Sequence, residues 1–164
     1  MKCLSCGAKM VTTTEPLFHY TVSGLSNVYL ANVDVSRCRK CHEEEVAIPR
    51  IEQLHKALAT IIVKQTSRLA AEEIRFLRKT MGLSGADFAR RIDVTASQVS
   101  RWERGHETMS HMAERLLRLM VVTESPVMDY STELFERIAE DVPRSRKRVV
   151  AKTAGGWQAR IAAA

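Results

Sequence analysis

The sequence predicts an α+β protein in which a small β-hairpin module is followed by a connecting helix and an all-α helix-turn-helix bundle. Three observations lead to this fold class. Two closely spaced pairs of cysteines flank two β-rich runs, an amphipathic segment follows Pro49, and several short capped helical patterns follow from there to Val122. At 164 residues the chain is long enough for two small cores, which this division implies.

The amino-terminal module reads as a β-hairpin. Its two β-rich runs cover residues 11–22 and 28–35, and turn-forming residues 23–27 separate them. A hairpin of this kind brings the segments before and after it to the same end of the module.

The four cysteines carry the strongest chemical signal. Cys3 and Cys6 form one pair and Cys38 and Cys41 the other, in the spacing C-x2-C-x31-C-x2-C. Two tight turns, each contributing two thiolates, supply the tetrahedral sulfur site that zinc prefers. Four protein ligands leave no open position, so we expect one structural zinc ion per chain.

The same cysteines are compatible with three other uses: structural disulfides, a redox pair, and haem attachment through Cys38-Arg39-Lys40-Cys41-His42. The first residues contain no apolar run and no stretch is long enough to span a bilayer, which predicts a cytoplasmic protein. A reducing cytoplasm disfavours disulfides, and haem attachment requires export. His42 and His19 become ligands only if a cysteine is displaced.

Helical periodicity begins after Pro49. Residues 51–62 predict the connecting helix, and four shorter helices are predicted over residues 71–81, 85–92, 96–104 and 110–122. Gly82 is a favoured residue after a helix end, Ser84 is a favoured N-cap, and Thr95 with Gln98 fits a capping box. An acidic helix over residues 131–141 and a flexible basic tail complete the pattern.

The predicted helix over residues 96–104 has the pattern of a recognition helix. It carries hydrogen-bonding side chains near its amino end, around an apolar stripe of Val99 and Trp102. Such residues read base edges in the major groove, where Gln pairs with adenine and Arg with guanine. The candidate DNA-contacting residues, including those placed for phosphates, are Ser97, Gln98, Ser100, Arg101, Arg104, Ser84, Arg90 and Arg91.

Two further features bear on partners. The helix over residues 110–122 presents more apolar surface than one short bundle needs, which suits either a homodimer interface or ordinary core. The formal net charge is +6, and residues 143–164 hold six basic and no acidic residues. The tail is then an arginine-rich DNA arm whose residues 144–148 touch phosphates, a protease-sensitive tether or an unselected extension, and composition does not separate these.

Two runs resemble the Xre/Cro-type helix-turn-helix of bacterial repressors. They are Ile74-Arg75-Phe76-Leu77-Arg78-Lys79-Thr80-Met81-Gly82-Leu83-Ser84 with Phe88-Ala89, and Ser97-Gln98-Val99-Ser100-Arg101-Trp102-Glu103-Arg104-Gly105. With Met-Lys-Cys-x-x-Cys-Gly and the later Cys-x-x-Cys, residues 1–123 look like a MqsA-type (YgiT-type zinc finger) antitoxin. That resemblance implies a zinc module that binds a ribonuclease toxin and a dimeric module that binds a palindromic operator.

The resemblance also implies roles for particular residues. The family's two base-contacting positions fall on Ser97 and Arg101; Arg101 matches, and Ser97 replaces an Asn. Gly85 stands where a phosphate-binding Gln is common. Residues 124–164 extend past the typical family end and inherit no role from it.

The domain division and function follow from these patterns. We expect a zinc-binding module (1–48), a connecting helix (49–66), a DNA-binding domain (67–123) and a carboxy-terminal helix with a flexible basic tail (124–164). The expected function is a non-enzymatic repressor and antitoxin, nucleoid-associated when bound to operator DNA. A stand-alone regulator without a toxin is the alternative, and an interaction adaptor that no longer binds DNA is a third possibility.

Overall fold

A computed structural model of the chain describes residues 1–124, 148–153 and 155–161. The amino-terminal strands are β1 (Met10–His19), β2 (Val28–Cys38) and β3 (Glu44–Val46). Five helices follow: α1 (Ile51–Lys64), α2 (Ala71–Thr80), α3 (Gly85–Arg91), α4 (Ala96–Glu103) and α5 (His111–Glu124). Strands β4 (Arg148–Thr153) and β5 (Gly156–Ile161) end the described chain. The predicted α+β class is confirmed.

Strand β2 lies at the centre of a five-stranded sheet. Strand β1 pairs with it in antiparallel fashion along one edge, from Met10 opposite Cys38 to His19 opposite Tyr29. The other edge is shared, because β3 pairs with residues 35–37 and β4 runs parallel to residues 28–31. Strand β5 then pairs with β4 in antiparallel fashion. The two ends of β2 therefore have different neighbours.

The prediction of a flexible tail over residues 124–164 is wrong for the part that the structure describes. Residues 148–153 and 156–161 form a strand pair whose Val150 and Trp157 are buried in the main core. The Trp157 indole also donates a hydrogen bond to the Pro49 carbonyl at 2.7 Å. The basic composition and the Gly-Gly pair concealed this short apolar alternation. The helix predicted over 131–141 lies outside the described residues.

The run of three glutamates at 43–45 has the composition of a solvated charge patch, but Glu44 and Glu45 belong to strand β3. Glu44 pairs with Arg37 in the ladder and accepts a 2.6 Å hydrogen bond from its Nε. Val46, opposite Val35, packs against the core. A three-residue strand with one apolar position carries too little periodicity to be predicted from the sequence.

One large hydrophobic core joins the sheet to the helices. It contains buried residues of β2, of every helix and of the carboxy-terminal strands, among them Val28, Leu30, Leu58, Ile62, Leu77, Phe88, Trp102, Leu117 and Val150. The only other core cluster in the described residues is small and surrounds Cys3, Met10 and Cys38. The expected helical core is therefore shared with the sheet, and α1 is its central element.

The helix caps of the helix-turn-helix segment are as predicted. The Ser84 hydroxyl accepts from the Asp87 backbone N–H at 3.0 Å, and the Thr95 hydroxyl accepts from the Gln98 N–H at 3.1 Å. Gly82, with φ 69°, takes the left-handed conformation that ends α2. These caps fix where α3 and α4 begin, and so fix the turn between them.

A buried ion pair joins strand β4 to helix α2. The guanidinium of Arg148, which is 3% exposed, pairs with the buried carboxylate of Glu73. It also donates to the side chains of Gln65 at 2.6 Å and Asn27 at 2.8 Å. Arg148 is one of the residues that would touch phosphates if the tail were a DNA arm, and its burial excludes that contact.

A second buried guanidinium ties α5 to the end of α1. Arg118 is fully buried and donates to the carbonyls of Ile62, Val63, Gln65 and Ser67 at 2.6 to 3.2 Å. It also pairs with the buried Glu114 at 2.8 Å. The Ile62 and Val63 carbonyls lie in the last turn of α1, so the guanidinium caps the helix. The segment between α1 and α2 is thereby held at fixed positions.

Candidate functional site

The two cysteine pairs lie in two turns of the same backbone design. In the first turn, the Gly7 N–H donates to the Cys3 carbonyl at 2.9 Å and the Cys3 N–H donates to Ala8 at 2.8 Å. In the second, the His42 N–H donates to the Cys38 carbonyl at 3.0 Å and the Cys38 N–H donates to Glu43 at 2.9 Å. Each turn therefore directs its two thiols towards the same point.

The backbone conformation at Gly7 and His42 explains the role of the histidine. Gly7 has φ 70° and His42 has φ 61°, so both take the left-handed position that closes their turns. His42 is thus a turn residue, outside the group of four cysteines that could hold a metal ion. His19 bonds to the Ser26 carbonyl at 2.8 Å and stacks on Tyr29, also away from the cysteines.

The four sulfur atoms fit a tetrahedral metal ion. All lie within 4.8 Å of one another, and the Cys3–Cys41 and Cys6–Cys38 sulfur pairs are each 3.5 Å apart. A zinc–sulfur distance of about 2.3 Å requires sulfur separations of about 3.8 Å in a tetrahedron. All four are free thiols, and a disulfide needs sulfur atoms about 2.05 Å apart. The chain therefore has a candidate metal site, with zinc as the best match to the donor set.

The thiols differ in how readily they ionise. Backbone N–H groups of Cys41 and Lys40 lower the pKa of Cys38 to about 6. The Glu43 N–H acts to lower the pKa of Cys41, but the neighbouring Cys6 and Cys3 sulfurs raise it to about 12. Four thiolates this close repel one another, and a divalent cation at their centre would remove that repulsion.

Helix α4 presents a polar face to solvent. Val99 and Trp102 are buried against the core, as their spacing predicts. On the opposite side Ser97, Arg101 and Arg104 are exposed, whereas Gln98 and Ser100 are half-buried. The structure therefore brings the five candidate residues of this helix together at one accessible surface.

The arginines of α4 already have partners on this surface. Arg101 donates from Nε to the Glu107 carboxylate at 2.8 Å and from Nη1 to the Ser97 hydroxyl at 3.3 Å. Arg104 donates to the Ser100 hydroxyl. These contacts hold both guanidinium groups along the surface of α4, and a base or phosphate must compete for their N–H groups.

An arginine of α2, which the sequence interpretation missed, positions α4. Arg78 is buried and donates to both carboxylate oxygens of Glu103, at 2.5 and 3.0 Å. Arg75 also lies within 3.6 Å of that carboxylate. A glutamate in the last turn of a helix opposes the helix dipole and therefore needs a cation nearby. That unfavourable position of Glu103 was the available sequence signal.

The candidate phosphate contacts lie at and near α3. Ser84, Arg90 and Arg91 are exposed, but Ser84 and Arg90 both contact Asp87, at 2.6 and 2.5 Å. The Ser84 hydrogen bond and the Arg90 charge lower the pKa of the Asp87 carboxyl, which keeps it ionised. A phosphate at this site must therefore displace or coexist with a carboxylate.

The described helices give no indication of a membrane-spanning segment, since none combines the required length and hydropathy.

Comparison with curated proteins and with solved structures yields no match. A family model described as "Helix-turn-helix" matches residues 74–123, which run from α2 through α5. Residues 74–123 are thus a helix-turn-helix domain of the kind found in DNA-binding transcriptional regulators.

Proposed function

We propose that this chain is a sequence-specific transcriptional repressor that reads operator DNA through the exposed face of α4. The observation that supports this most is the position of Ser97 and Arg101 one turn apart on the outer face of a capped helix in the matched domain. A capped, rigidly seated helix presents such side chains to the major groove at low entropic cost. In this proposal Ser84, Arg90, Arg91 and Arg104 contact phosphates, and Gln98 and Ser100 support base contacts.

The repressor is proposed to act as a homodimer through α5. Met112, Leu116 and Leu119 recur at helical spacing and are 82%, 36% and 43% exposed. The same helix buries Leu117 and Val121 in the core, so its outer stripe is additional to what the monomer needs. A two-fold dimer would place two α4 helices on two half-sites of a palindrome.

We further propose that the repressor is the antitoxin of a type II toxin–antitoxin system and neutralises a ribonuclease toxin with its zinc-held end. The family resemblance of residues 1–123 supports this role. Leu4, at the tip of the first cysteine turn, is 90% exposed and is therefore accessible to a partner at this end. In this proposal the protein is cytoplasmic and associates with the nucleoid when it represses its own operon.

One observation favours the alternative of a stand-alone regulator without a toxin. Strand β2 runs from Cys38 directly into the core that it shares with the helices. A zinc ion at that end would stabilise the sheet whether or not a toxin binds there. The metal would then be a structural part of a regulator with no other partner at the cysteine end.

Co-expression with the adjacent gene separates the two proposals. The chain is purified with that gene product, and zinc content, stoichiometry and binding to the operon's own promoter are measured. One zinc per chain, promoter binding and a stoichiometric partner support the antitoxin role. Zinc and promoter binding without a partner support the stand-alone regulator, and loss of promoter binding at low salt contradicts both.

A further inference from the structure

The loop after α4 returns the chain to the recognition face. Gly105, with φ 74°, takes the left-handed conformation, and the His106 N–H donates to the Arg101 carbonyl at 2.9 Å. This is the bond pattern of a helix end that reverses direction at glycine. The reversal places Glu107 beside Arg101, which lies six residues before it in the chain.

The far side of the same loop is anchored in the core. Met109 is 2% exposed, and its carbonyl accepts a hydrogen bond from Arg68. Ser110 then caps α5 by accepting from the Ala113 N–H at 3.2 Å. Glu107 therefore sits on a short segment fixed at both ends, so its backbone position is set independently of Arg101.

The contacts of Arg101 occupy one part of its guanidinium and leave another part open. Glu107 accepts from Nε at 2.8 Å and Ser97 accepts from Nη1 at 3.3 Å, whereas Nη2 has no partner among the described residues. Nη1 has a second hydrogen, so the Nη1–Nη2 end can still donate two parallel hydrogen bonds. That is the geometry with which arginine reads the O6 and N7 atoms of guanine.

From this geometry we infer that Glu107 is a positioning residue for base reading: it holds Nε so that the Nη1–Nη2 end of Arg101 meets a guanine edge. The inference rests on the proposed DNA-reading role of Arg101. The opposing possibility is that Glu107 only neutralises the Arg101 charge. The two roles of Glu107 predict different results. A change in the orientation of the Arg101 guanidinium alters discrimination between bases, whereas a change in charge alters the affinity for all duplexes alike.

The test uses the full-length, zinc-loaded chain and a duplex selected by the wild-type protein from a randomised pool. Discrimination is measured as the ratio of affinities for this duplex and for each of its single-base-pair variants. Glu107→Ala removes both the charge and the acceptor, and is expected to lower this ratio by about two- to five-fold, the range of an exposed ion pair. Glu107→Gln removes the charge but keeps an oxygen at the same reach, and should lower the ratio less.

Both Glu107 variants lose one negative charge, so their affinity for unselected DNA should rise equally. Glu52→Gln, an exposed residue of α1 remote from α4, is the matched charge control and should leave the ratio unchanged. If both Glu107 variants keep the wild-type ratio while Arg101→Ala collapses it, the positioning role is overturned and base reading by Arg101 stands. If Arg101→Ala also leaves the ratio unchanged, the proposed reading itself fails.

Discussion

The two ends of strand β2 are held by different kinds of interaction. At the Cys38 end, four sulfurs and a small cluster with Met10 are the main buried contacts. From Val28 to Val35 the same strand shares the large core with five helices. There the buried Arg148–Glu73 pair and a Ser26–Glu72 hydrogen bond of 2.8 Å link the sheet to α2.

This difference indicates which functions depend on the metal. The cysteine end has too little apolar burial to hold its turns without a cation, whereas the helical end packs on the large core that it shares with the sheet. Helix α4, the proposed recognition helix, belongs to the helical end. The metal should therefore control the surface around the cysteines and have little influence on DNA reading.

Metal removal should have the largest effect, and a local one. Binding of a structural zinc ion by four thiolates contributes on the order of 10 kcal/mol to the structure that it holds. After chelation we expect hydrogen exchange to become fast around the cysteine turns and β3, while α1, α2 and α4 keep their protection. Loss of protection throughout the helices would show that the two ends fold as one unit.

Loss of the buried ion pair should have the next largest effect. Arg148→Met leaves the Glu73 carboxylate buried without its cation, which is expected to cost about 3–5 kcal/mol of unfolding free energy. Denaturant titration measures this cost. Arg160→Met, on the exposed part of β5, is the control and should change stability little. Adding Glu73→Gln to Arg148→Met should restore part of the loss, and no recovery would contradict the ion-pair explanation.

A smaller effect is expected at the recognition face. Arg101→Ala should lower discrimination between the selected duplex and single-base variants by about 1–3 kcal/mol, because one bidentate base contact is lost. Affinity for unselected DNA should fall by much less, through the loss of one positive charge alone. Arg39→Ala, an exposed change at the cysteine end, is the control for charge. An equal loss on all duplexes would assign Arg101 to the phosphates.

The smallest effect is expected at His42. A non-glycine residue at φ 61° is strained, so His42→Gly should stabilise the second cysteine turn by up to about 1 kcal/mol. Zinc stoichiometry and thermal unfolding are the measurements. Retention of one zinc per chain supports the turn role, whereas loss of the metal would make His42 a ligand.

Much of the fold could be predicted because its signals are local. Cap residues such as Ser84 and Thr95 fix helix starts within a few residues, and the cysteine spacing brings four sulfurs together. The missing parts depend on contacts between distant segments. Strand β4 is held in the sheet by long-range contacts. Arg148 pairs with Glu73, more than seventy residues earlier in the chain, and Val150 packs in the core. Local composition contains no trace of such pairs.

The same distinction applies to the candidate site. The sequence identified the residues that face solvent on α4, since their spacing is helical. It missed Arg78, which contacts Glu103 across 25 residues of chain, and Glu107, whose contact with Arg101 depends on the chain reversal at Gly105. Residues that hold a recognition surface in place are therefore harder to predict than the surface itself.

Hydrogen exchange of the zinc-loaded protein with and without its selected duplex tests the central claim most directly. We expect DNA to slow exchange at the amino ends of α3 and α4, and in the loop that carries Glu107, while exchange at the two cysteine turns stays unchanged. Protection at the cysteine turns, or none in α4, would contradict a regulator that reads DNA at its helical end.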